Sequence, residues 1–161
     1  MRAYLDTAVK FNIPADTMAA YFRAMRADLT VRLFPTYADL LHYMEGSAIP
    51  VGRAMTHILG VKTGYSLSEA FAGADSLSIA MQLSNFWRDI EEDRRIGRIY
   101  LPQEDMQRFR YTESELTHNV INHRFVELLE FQFERTEEYY QSARKAVPML
   151  ARGKWAVTCA L

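Results

Sequence analysis

Apolar residues recur along most of this chain at the spacing of amphipathic helices, and almost no stretch alternates in the manner of a strand. The pattern predicts helices over residues 16–25, 36–47, 75–95 and 119–147. Thr36, Ser66 and Thr112 each precede an acidic residue at the spacing of a capping box, which indicates that helices start there. We therefore expect an all-helical fold.

Individual residues refine these boundaries. Pro50 is expected to kink or interrupt the helix that starts at Thr36. The helix is then expected to resume and to end at about Leu59. The 119–147 helix is expected to bury one side. That side carries Val126, Leu129, Phe133 and Tyr140. No repeat or flexible linker divides the chain, so residues 1–161 are expected to form one helical domain.

A polar stripe runs along the predicted helix 75–95. It consists of Gln82, Asn85, Asp89, Glu92 and Asp93. At about 100° per residue its members lie within roughly 100° of one another, beside an apolar arc that includes Leu83 and Phe86. Carboxylates spaced by one turn at the edge of an apolar surface repel each other and resist ionisation, so a cation is a natural third party. Oxygen ligands of this kind suit magnesium.

An acidic run on a helix is more often a solvated face than a metal site. Here two amides continue the stripe upstream of the acids, which a solvated face does not require. A basic cluster also surrounds the acids, and it can either pair with them or bind diphosphate oxygens. Its members are Arg88, Arg94, Arg95 and Arg98.

Composition excludes some classes of function. The formal net charge of −1 argues against a nucleic-acid partner, because no basic excess is present to neutralise phosphates. No segment is long and apolar enough for a membrane span, and the N-terminus has no signal-peptide pattern. The single cysteine, Cys159, permits no internal disulfide. These features predict a cytoplasmic protein.

The segment from Gln82 to Gln103 resembles the second aspartate-rich motif of the squalene and phytoene synthase family. That motif reads Q-x-x-N-x-x-R-D-x-x-E-D and continues as G-R-x-Y-L-P, which this sequence matches from Gln82 to Pro102. An upstream stretch, from Tyr43 to Arg53, is similar to the family's Y-x-x-x-x-A-x-x-V-G helix. The resemblance extends over most of the chain.

The resemblance implies an isoprenoid-synthase-type helical bundle that condenses two prenyl diphosphates head to head, through a cyclopropylcarbinyl diphosphate intermediate. It implies that Asp89 and Asp93 hold Mg²⁺, with Mn²⁺ as a substitute, and that Glu92 supports them. Diphosphate contacts are implied for four residues, Gln82, Asn85, Arg88 and Arg98. Tyr43 is implied to be catalytic, facing the cyclopropylcarbinyl intermediate.

The choice of substrate and product stays open. The segment DIEEDRRIGRIYLP is more similar to phytoene synthases, whereas SAIPVGR and LPQEDMQRF are more similar to bacterial squalene-pathway members. Farnesyl and geranylgeranyl diphosphate are therefore both candidate substrates, and NADPH is expected only for a reducing squalene synthase. Peripheral membrane contact and a homo-oligomer formed through exposed apolar faces are further expectations.

The length of the chain bears on whether it is active by itself. Family members are nearly twice as long, and their first aspartate-rich motif precedes the tyrosine helix, where this sequence has no acidic pair of that spacing. We therefore expect the chain to be an inactive C-terminal portion of a synthase, with apolar residues 155–161 exposed. The alternative is a non-catalytic helical binding or assembly protein derived from the same family. A head-to-tail prenyltransferase is disfavoured by the G-R-x-Y-L-P continuation.

Overall fold

The computed structural model describes residues 2–27, 29–30 and 32–152 of the chain. These residues form nine α-helices and one short 3₁₀ helix. The helices are α1 (Arg2–Lys10), α2 (Ala15–Ala27), α3 (Tyr37–Ser47), α4 (Ile49–Leu59), α5 (Leu67–Arg88), α6 (Ile90–Arg95), α7 (Gln103–Arg108), α8 (Glu113–Thr117), α9 (His123–Arg144) and the 3₁₀ helix Val147–Met149. Extended pairing within the described ranges is limited to the isolated bridges Leu33–Ile99 and Val61–Leu150. The all-helical prediction is confirmed, while Cys159 and residues 155–161 lie outside the described part.

Three capping boxes start helices where the sequence predicts them. The hydroxyl of Thr36 accepts the backbone N–H of Asp39 at 3.1 Å, and the carboxylate of Asp39 accepts the N–H of Thr36 at 3.0 Å. Ser66 and Thr112 form the same reciprocal pairs at the starts of α5 and α8. Each box satisfies N–H groups that a helix start would otherwise leave unpaired.

Pro50 interrupts the chain as predicted. Helix α3 ends at Ser47, and α4 starts at Ile49 with Pro50 in its first turn. A proline is tolerated there because its missing N–H would have no partner within the helix.

The predicted helix 75–95 is wrong in two respects. Helix α5 already begins at Leu67, so the helical stretch that starts at Ser66 and the motif helix are one element. The helix is also interrupted at Asp89, whose backbone adopts φ −100° and ψ 17°, before α6 resumes. The N–H of Asp89 still bonds the carbonyl of Asn85 at 2.9 Å, and no proline or glycine marks the break. The interruption is therefore a local distortion that the sequence pattern does not signal.

Helix α9 is shorter than predicted, and its buried face matches the predicted face only in part. The side chain of Asn122 caps its first turn at 3.1 Å, and Asn119 has a positive φ of 52°, so the helix begins at His123. Val126 and Phe133, predicted to be buried, are 45% and 52% exposed. The buried residues of α9 are Leu128, Gln132, Thr136 and Ala143. Two of these are polar, whereas Leu129 is partly buried and packs against the core as predicted. The apolar pattern therefore identifies only part of the buried face.

Helix α5 is the central element of the core. It packs against α9 on one side and α4 on another, while α2 packs against α3 and α4. Leu83 of α5 is fully buried with residues from α3, α9 and the segment after α6. Those residues are Leu40, Met44, Leu101 and Leu128. The segment that follows α9 packs closely on α5 because residue 73 is a glycine. A Cβ at Gly73 would lie 2.0 Å from the Cβ of Ala146.

We expect Gly73→Ala to lower the free energy of unfolding by about 1–3 kcal/mol, because overpacking this contact forces the chain segments apart. Urea unfolding of the 161-residue chain measures the change. The matched control is the exchange Gly73→Ala/Ala146→Gly, which restores one Cβ at the contact and should recover most of the loss. Equal losses in the single and the exchanged variant would contradict the steric reason.

Candidate active site

The polar stripe extends across the junction of α5 and α6, and its members differ in exposure. Asp89 and Asp93 are partly buried, as are Gln82 and Asn85, whereas Glu92 is exposed. The break at Asp89 does not separate the two aspartates, because the N–H of Asp93 bonds the carbonyl of Asp89 at 2.9 Å. The aspartates therefore remain one helical turn apart, as the stripe predicts.

Asp89 forms a two-pronged ion pair with its neighbour Arg88. The guanidinium Nε and Nη2 donate to the two carboxylate oxygens, both at 2.6 Å. The hydrogen bonds from Arg88 lower the pKa of Asp89 below its usual value, and the same pair raises the pKa of Arg88. The expectation that Asp89 resists ionisation is therefore wrong, because the hydrogen bonds from Arg88 outweigh the effect of desolvation on the pKa of Asp89. Asp89 carries a negative charge that can bind a cation.

Asp93 borders a small cavity beneath the acidic turn. The lining also includes Phe86, Ile90, Arg98 and Tyr100. The cavity volume is about 10 Å³, enough for about one water molecule. The N–H of Arg98 donates to the carbonyl of Asp93 at 2.8 Å, so the chain turns back and brings Arg98 to the same cavity. Arg98 Nη1 also lies 3.5 Å from the hydroxyl of Tyr100.

A group of four packed aromatic rings includes Tyr43 and two rings that line this cavity. We call Phe34, Tyr43, Phe86 and Tyr100 the aromatic cluster. Phe86 and Tyr100 are stacked, with centroids 3.9 Å apart and planes at 9°. Tyr43 lies 6.1 Å from the ring of Tyr100 and 6.4 Å from that of Phe86. The helix α3 thus places Tyr43 on rings that line the cavity at Asp93.

The oxygen atoms of the stripe are ligands of the type that a hard divalent cation prefers. Their number is too small to complete its coordination shell. Asp89 and Asp93 offer carboxylate oxygens, which Mg²⁺ prefers. The described residues nevertheless contain no group of three or more acidic, histidine or cysteine side chains arranged to hold a metal. Mg²⁺ commonly uses one or two carboxylates and completes its shell with water and substrate phosphate oxygens. The residues present therefore fit a magnesium ion that arrives with a phosphorylated ligand.

The basic cluster is divided between ion pairs and the cavity. Arg95 pairs with Glu91 at 2.6 Å on the side of α6 away from the stripe, and Arg88 pairs with Asp89. Both arginines are largely exposed, with side-chain accessibilities of 65% and 68%. Exposed pairs of this kind contribute little stability and can exchange partners. Pairing of the arginines with the acids is thus observed, and diphosphate binding by Arg88 and Arg98 stays a prediction.

Sequence reasoning missed two groups near the site. Phe34 belongs to the aromatic cluster, but it lies in a loop and shares no helical pattern with Tyr43. Asp105 of α7 is only 4% exposed and pairs with Arg135 of α9. No local signal marks Asp105, because α7 is short and mostly polar and Asp105 meets Arg135 only through a tertiary contact.

Comparison with known proteins identifies the family. The squalene/phytoene synthase family profile matches residues 1–161. The chain belongs to the squalene/phytoene synthase family.

Individual members of the squalene/phytoene synthase family support this. The 15-cis-phytoene synthase of Synechococcus elongatus is 30% identical over 99% of this chain and 54% of its own length. That of Synechocystis is 33% identical over 99% of this chain and 50% of its own length. The crystal structure of squalene synthase HpnC from Alicyclobacillus acidocaldarius superposes with a TM-score of 0.85, at 26% identity, over 94% of this chain and 58% of that one.

The structural match to a squalene synthase confirms the predicted isoprenoid-synthase-type bundle. The chain spans about half the length of the curated relatives it matches. Within the described residues, no helix is both long and apolar enough to cross a membrane. The roles of individual residues in this family member stay predictions.

We expect Arg88→Gln to raise the pKa of Asp89, because the substitution removes the hydrogen bonds that favour the carboxylate. Carbon-13 NMR of the Asp89 carboxyl during an acid titration measures this. Because the folded pKa is the lower one, the stabilisation by the pair is present above the unfolded pKa and is lost as the pH falls through the folded value.

The control for this titration is Arg95→Gln, which removes a guanidinium from the opposite side of α6. It should leave the pKa of Asp89 unchanged. A pKa of Asp89 that is the same in wild type and Arg88→Gln would refute the assigned cause.

Proposed function

We propose that this chain supplies the second acidic site of a synthase that condenses two prenyl diphosphates head to head. The observation that carries the proposal is the position of Asp93, which shares one cavity with Arg98 and two rings of the aromatic cluster. Such a site combines groups that bind a magnesium diphosphate with an apolar aromatic surface suited to a carbocation.

The first task of the site is to hold the leaving diphosphate. Asp89 and Asp93 are the proposed ligands of Mg²⁺, supported by Glu92, and Mn²⁺ can take the same place. The bound ion would neutralise the negative charge that develops on the diphosphate as the bond to carbon breaks. The side-chain amides of Gln82 and Asn85, on the same stripe, are proposed to donate hydrogen bonds to the diphosphate. Arg98 lines the same cavity as Asp93. Arg88 can transfer its guanidinium from Asp89 to diphosphate oxygens, since the pair is exposed and its geometry suits phosphate equally.

The second task is to stabilise the cation left behind and exclude water. The face of an aromatic ring attracts a positive charge, and this attraction is stronger where water is absent. Tyr43 is the proposed catalytic group here, because it is the member of the aromatic cluster that is not fully enclosed. Phe34, Phe86 and Tyr100 are buried and hold its ring in place.

The prenyl chains need an apolar surface beside the diphosphate site. Helices α4 and α5 pack together and expose large apolar side chains there. Val51 and Met55 of α4 are 51% and 46% exposed, and Met81 of α5, next to the start of the polar stripe, is 47% exposed. We assign these residues to the prenyl-binding wall. Relatives named phytoene synthases and a neighbour named squalene synthase leave both C15 and C20 substrates as candidates.

One observation favours the alternative, a non-catalytic helical binding or assembly protein. The cavity at Asp93 has a volume of about 10 Å³, which is too small for a diphosphate unless the segment carrying Arg98 moves. Binding of magnesium pyrophosphate separates the two functions, because an assembly protein has no need to retain it.

We expect the chain to bind magnesium pyrophosphate and Asp93→Asn to weaken this binding by at least about 10-fold, the loss typical of one charge-assisted contact. Isothermal titration calorimetry measures the affinity. With Mn²⁺ in place of Mg²⁺, paramagnetic broadening should centre on Asp89 and Asp93 in NMR spectra. The control is Glu91→Gln, which removes a charge from the far side of the same helix. Equal losses in both variants would mean that only overall charge matters.

We expect residues 1–161 alone to yield no prenyl product, since the family mechanism needs two acidic clamps and the sequence upstream of Tyr43 has no matching pair. A single clamp leaves the intermediate open to water. Incubation with farnesyl or geranylgeranyl diphosphate and Mg²⁺, with and without NADPH, followed by mass spectrometry of the hydrocarbons, tests this. Squalene, dehydrosqualene or phytoene in the extract would show that the second clamp suffices.

A further inference from the structure

Asp105 carries a buried carboxylate outside the proposed diphosphate site. One of its oxygens accepts hydrogen bonds from Nε2 of Gln132 and Nη1 of Arg135, both at 2.8 Å. The other oxygen lies 3.4 Å from Nη2 of Arg135. The side chains of Asp105 and Arg135 are only 5% and 18% exposed. Removing two charges from water costs about as much as their attraction returns, so stability alone does not account for such a pair.

The guanidinium of Arg135 also reaches helix α3. Its central carbon lies 3.8 Å from the ring centroid of Tyr37, the first residue of α3. The backbone N–H of Tyr37 donates to the carboxylate of Glu104, the neighbour of Asp105, at 2.6 Å. The buried pair therefore joins three elements: α7, α9 and the start of the helix that carries Tyr43.

The segment 98–103 runs between this pair and the acidic turn. Besides the bond from Arg98 to Asp93, two backbone hydrogen bonds hold it to the loop before α3. They run from Ile99 to the carbonyl of Arg32 at 2.8 Å and from Gln103 to the carbonyl of Phe34 at 2.9 Å. It has no helix of its own, and α7, into which it leads, is only 6 residues long. A helix this short depends on tertiary contacts for its position. The contacts of Asp105 are the buried polar ones that α7 makes to α9.

We propose that Asp105 and Arg135 are positioning residues for the diphosphate site. Their directional pair fixes α7 against α9 and α3, so that the segment 98–103 holds Arg98 at the cavity of Asp93 and Tyr100 against Phe86. An apolar contact of similar size would bury α7 without fixing its rotation. The inference rests on the proposed function for the role of Arg98, whereas the placement of Tyr100 is independent of it.

The test uses Asp105→Asn in the 161-residue chain, which keeps the size of the side chain and leaves the guanidinium of Arg135 uncompensated. Two quantities are measured at a temperature where the variant is folded: nuclear Overhauser effects between the rings of Phe86 and Tyr100, and the affinity for magnesium pyrophosphate. We expect the ring contacts to weaken by at least about half and the affinity to fall by at least about 10-fold, as for a lost charge-assisted contact.

The matched control is Arg124→Gln. It removes another α9 arginine from a carboxylate, that of Glu115 on α8. The remaining hydrogen bonds of that carboxylate are with Thr112 and Asn122, outside the segment 98–103. Both variants lose one ion pair of α9, so a general loss of stability would affect both. If Asp105 and Arg135 act by positioning, the control keeps the ring contacts and the affinity. If the control loses both to the same extent as Asp105→Asn, the positioning role is overturned.

A second variant keeps the test decisive if Asp105→Asn does not fold. The triple substitution Asp105→Leu/Gln132→Met/Arg135→Met replaces the pair, together with the buried amide that bonds both of its members, by apolar groups. Such a change often leaves stability unaltered or raises it. We expect a melting temperature near that of wild type together with weakened Phe86–Tyr100 contacts. Retention of these contacts in this variant would overturn the proposal.

The two readouts separate this inference from the proposed function. If the wild-type chain does not bind magnesium pyrophosphate, the proposed function fails. The contacts between Phe86 and Tyr100 then test the positioning role by themselves. Their loss in the apolar variant supports that role, and their retention refutes it.

Discussion

The packing of α5 between α4 and α9 is the constraint on which the rest of the structure depends. A central helix with neighbours on two sides has one remaining arc on which polar groups can stay near water. In this chain that arc carries the polar stripe, because Leu83, Phe86 and Trp87 are buried on the other sides. The close approach of Gly73 to Ala146 and of Gly52 to Ser78 fixes both neighbours at short distance. The position of the acids therefore follows from core packing and needs no separate device.

Electrostatics at the stripe then favours an exchangeable cation over a fixed one. Arg88 already neutralises Asp89, and its presence keeps the carboxylate ionised. Under the proposed function, an incoming magnesium diphosphate would offer Asp89 a divalent cation and Arg88 a phosphate, so each partner of the exposed pair would gain a stronger interaction. The same exchange cannot occur at Asp105, whose arginine is enclosed by Tyr37 and Phe131. Exposure thus separates an acid suited to binding from one suited to support.

The sequence predicted those parts of the fold that depend on local chemistry. Capping boxes at Thr36, Ser66 and Thr112 have a fixed spacing, and the interruption at Pro50 follows from a missing N–H, so these predictions were confirmed. The break at Asp89 was missed because no proline or glycine marks it and the backbone leaves helical geometry at this one residue. Helix α1 was not predicted, although its apolar residues recur at helical spacing, and it contributes no buried residue.

The candidate site was predictable to the extent that it lies on one helix. The stripe from Gln82 to Asp93 could be read from residue spacing, and the family motif added Tyr43 and Arg98. Phe34 and the Asp105–Arg135 pair could not, because they approach the site through tertiary contacts between residues far apart in sequence.

The error in α9 has the same origin as the missed support residues. Gln132 and Thr136 are buried because they bond Asp105 and Trp87, at 2.8 and 3.0 Å, so two polar residues of α9 face the core beside Leu128. A buried polar group is stable only when each partner is in place, and the partners of these two residues lie on α7 and α5. The apolar residues Val126 and Phe133 then face outward. Polar support for a site thus disturbs the hydrophobic pattern of the helix that provides it. Such a disturbance in a long helix indicates where a neighbouring site is anchored.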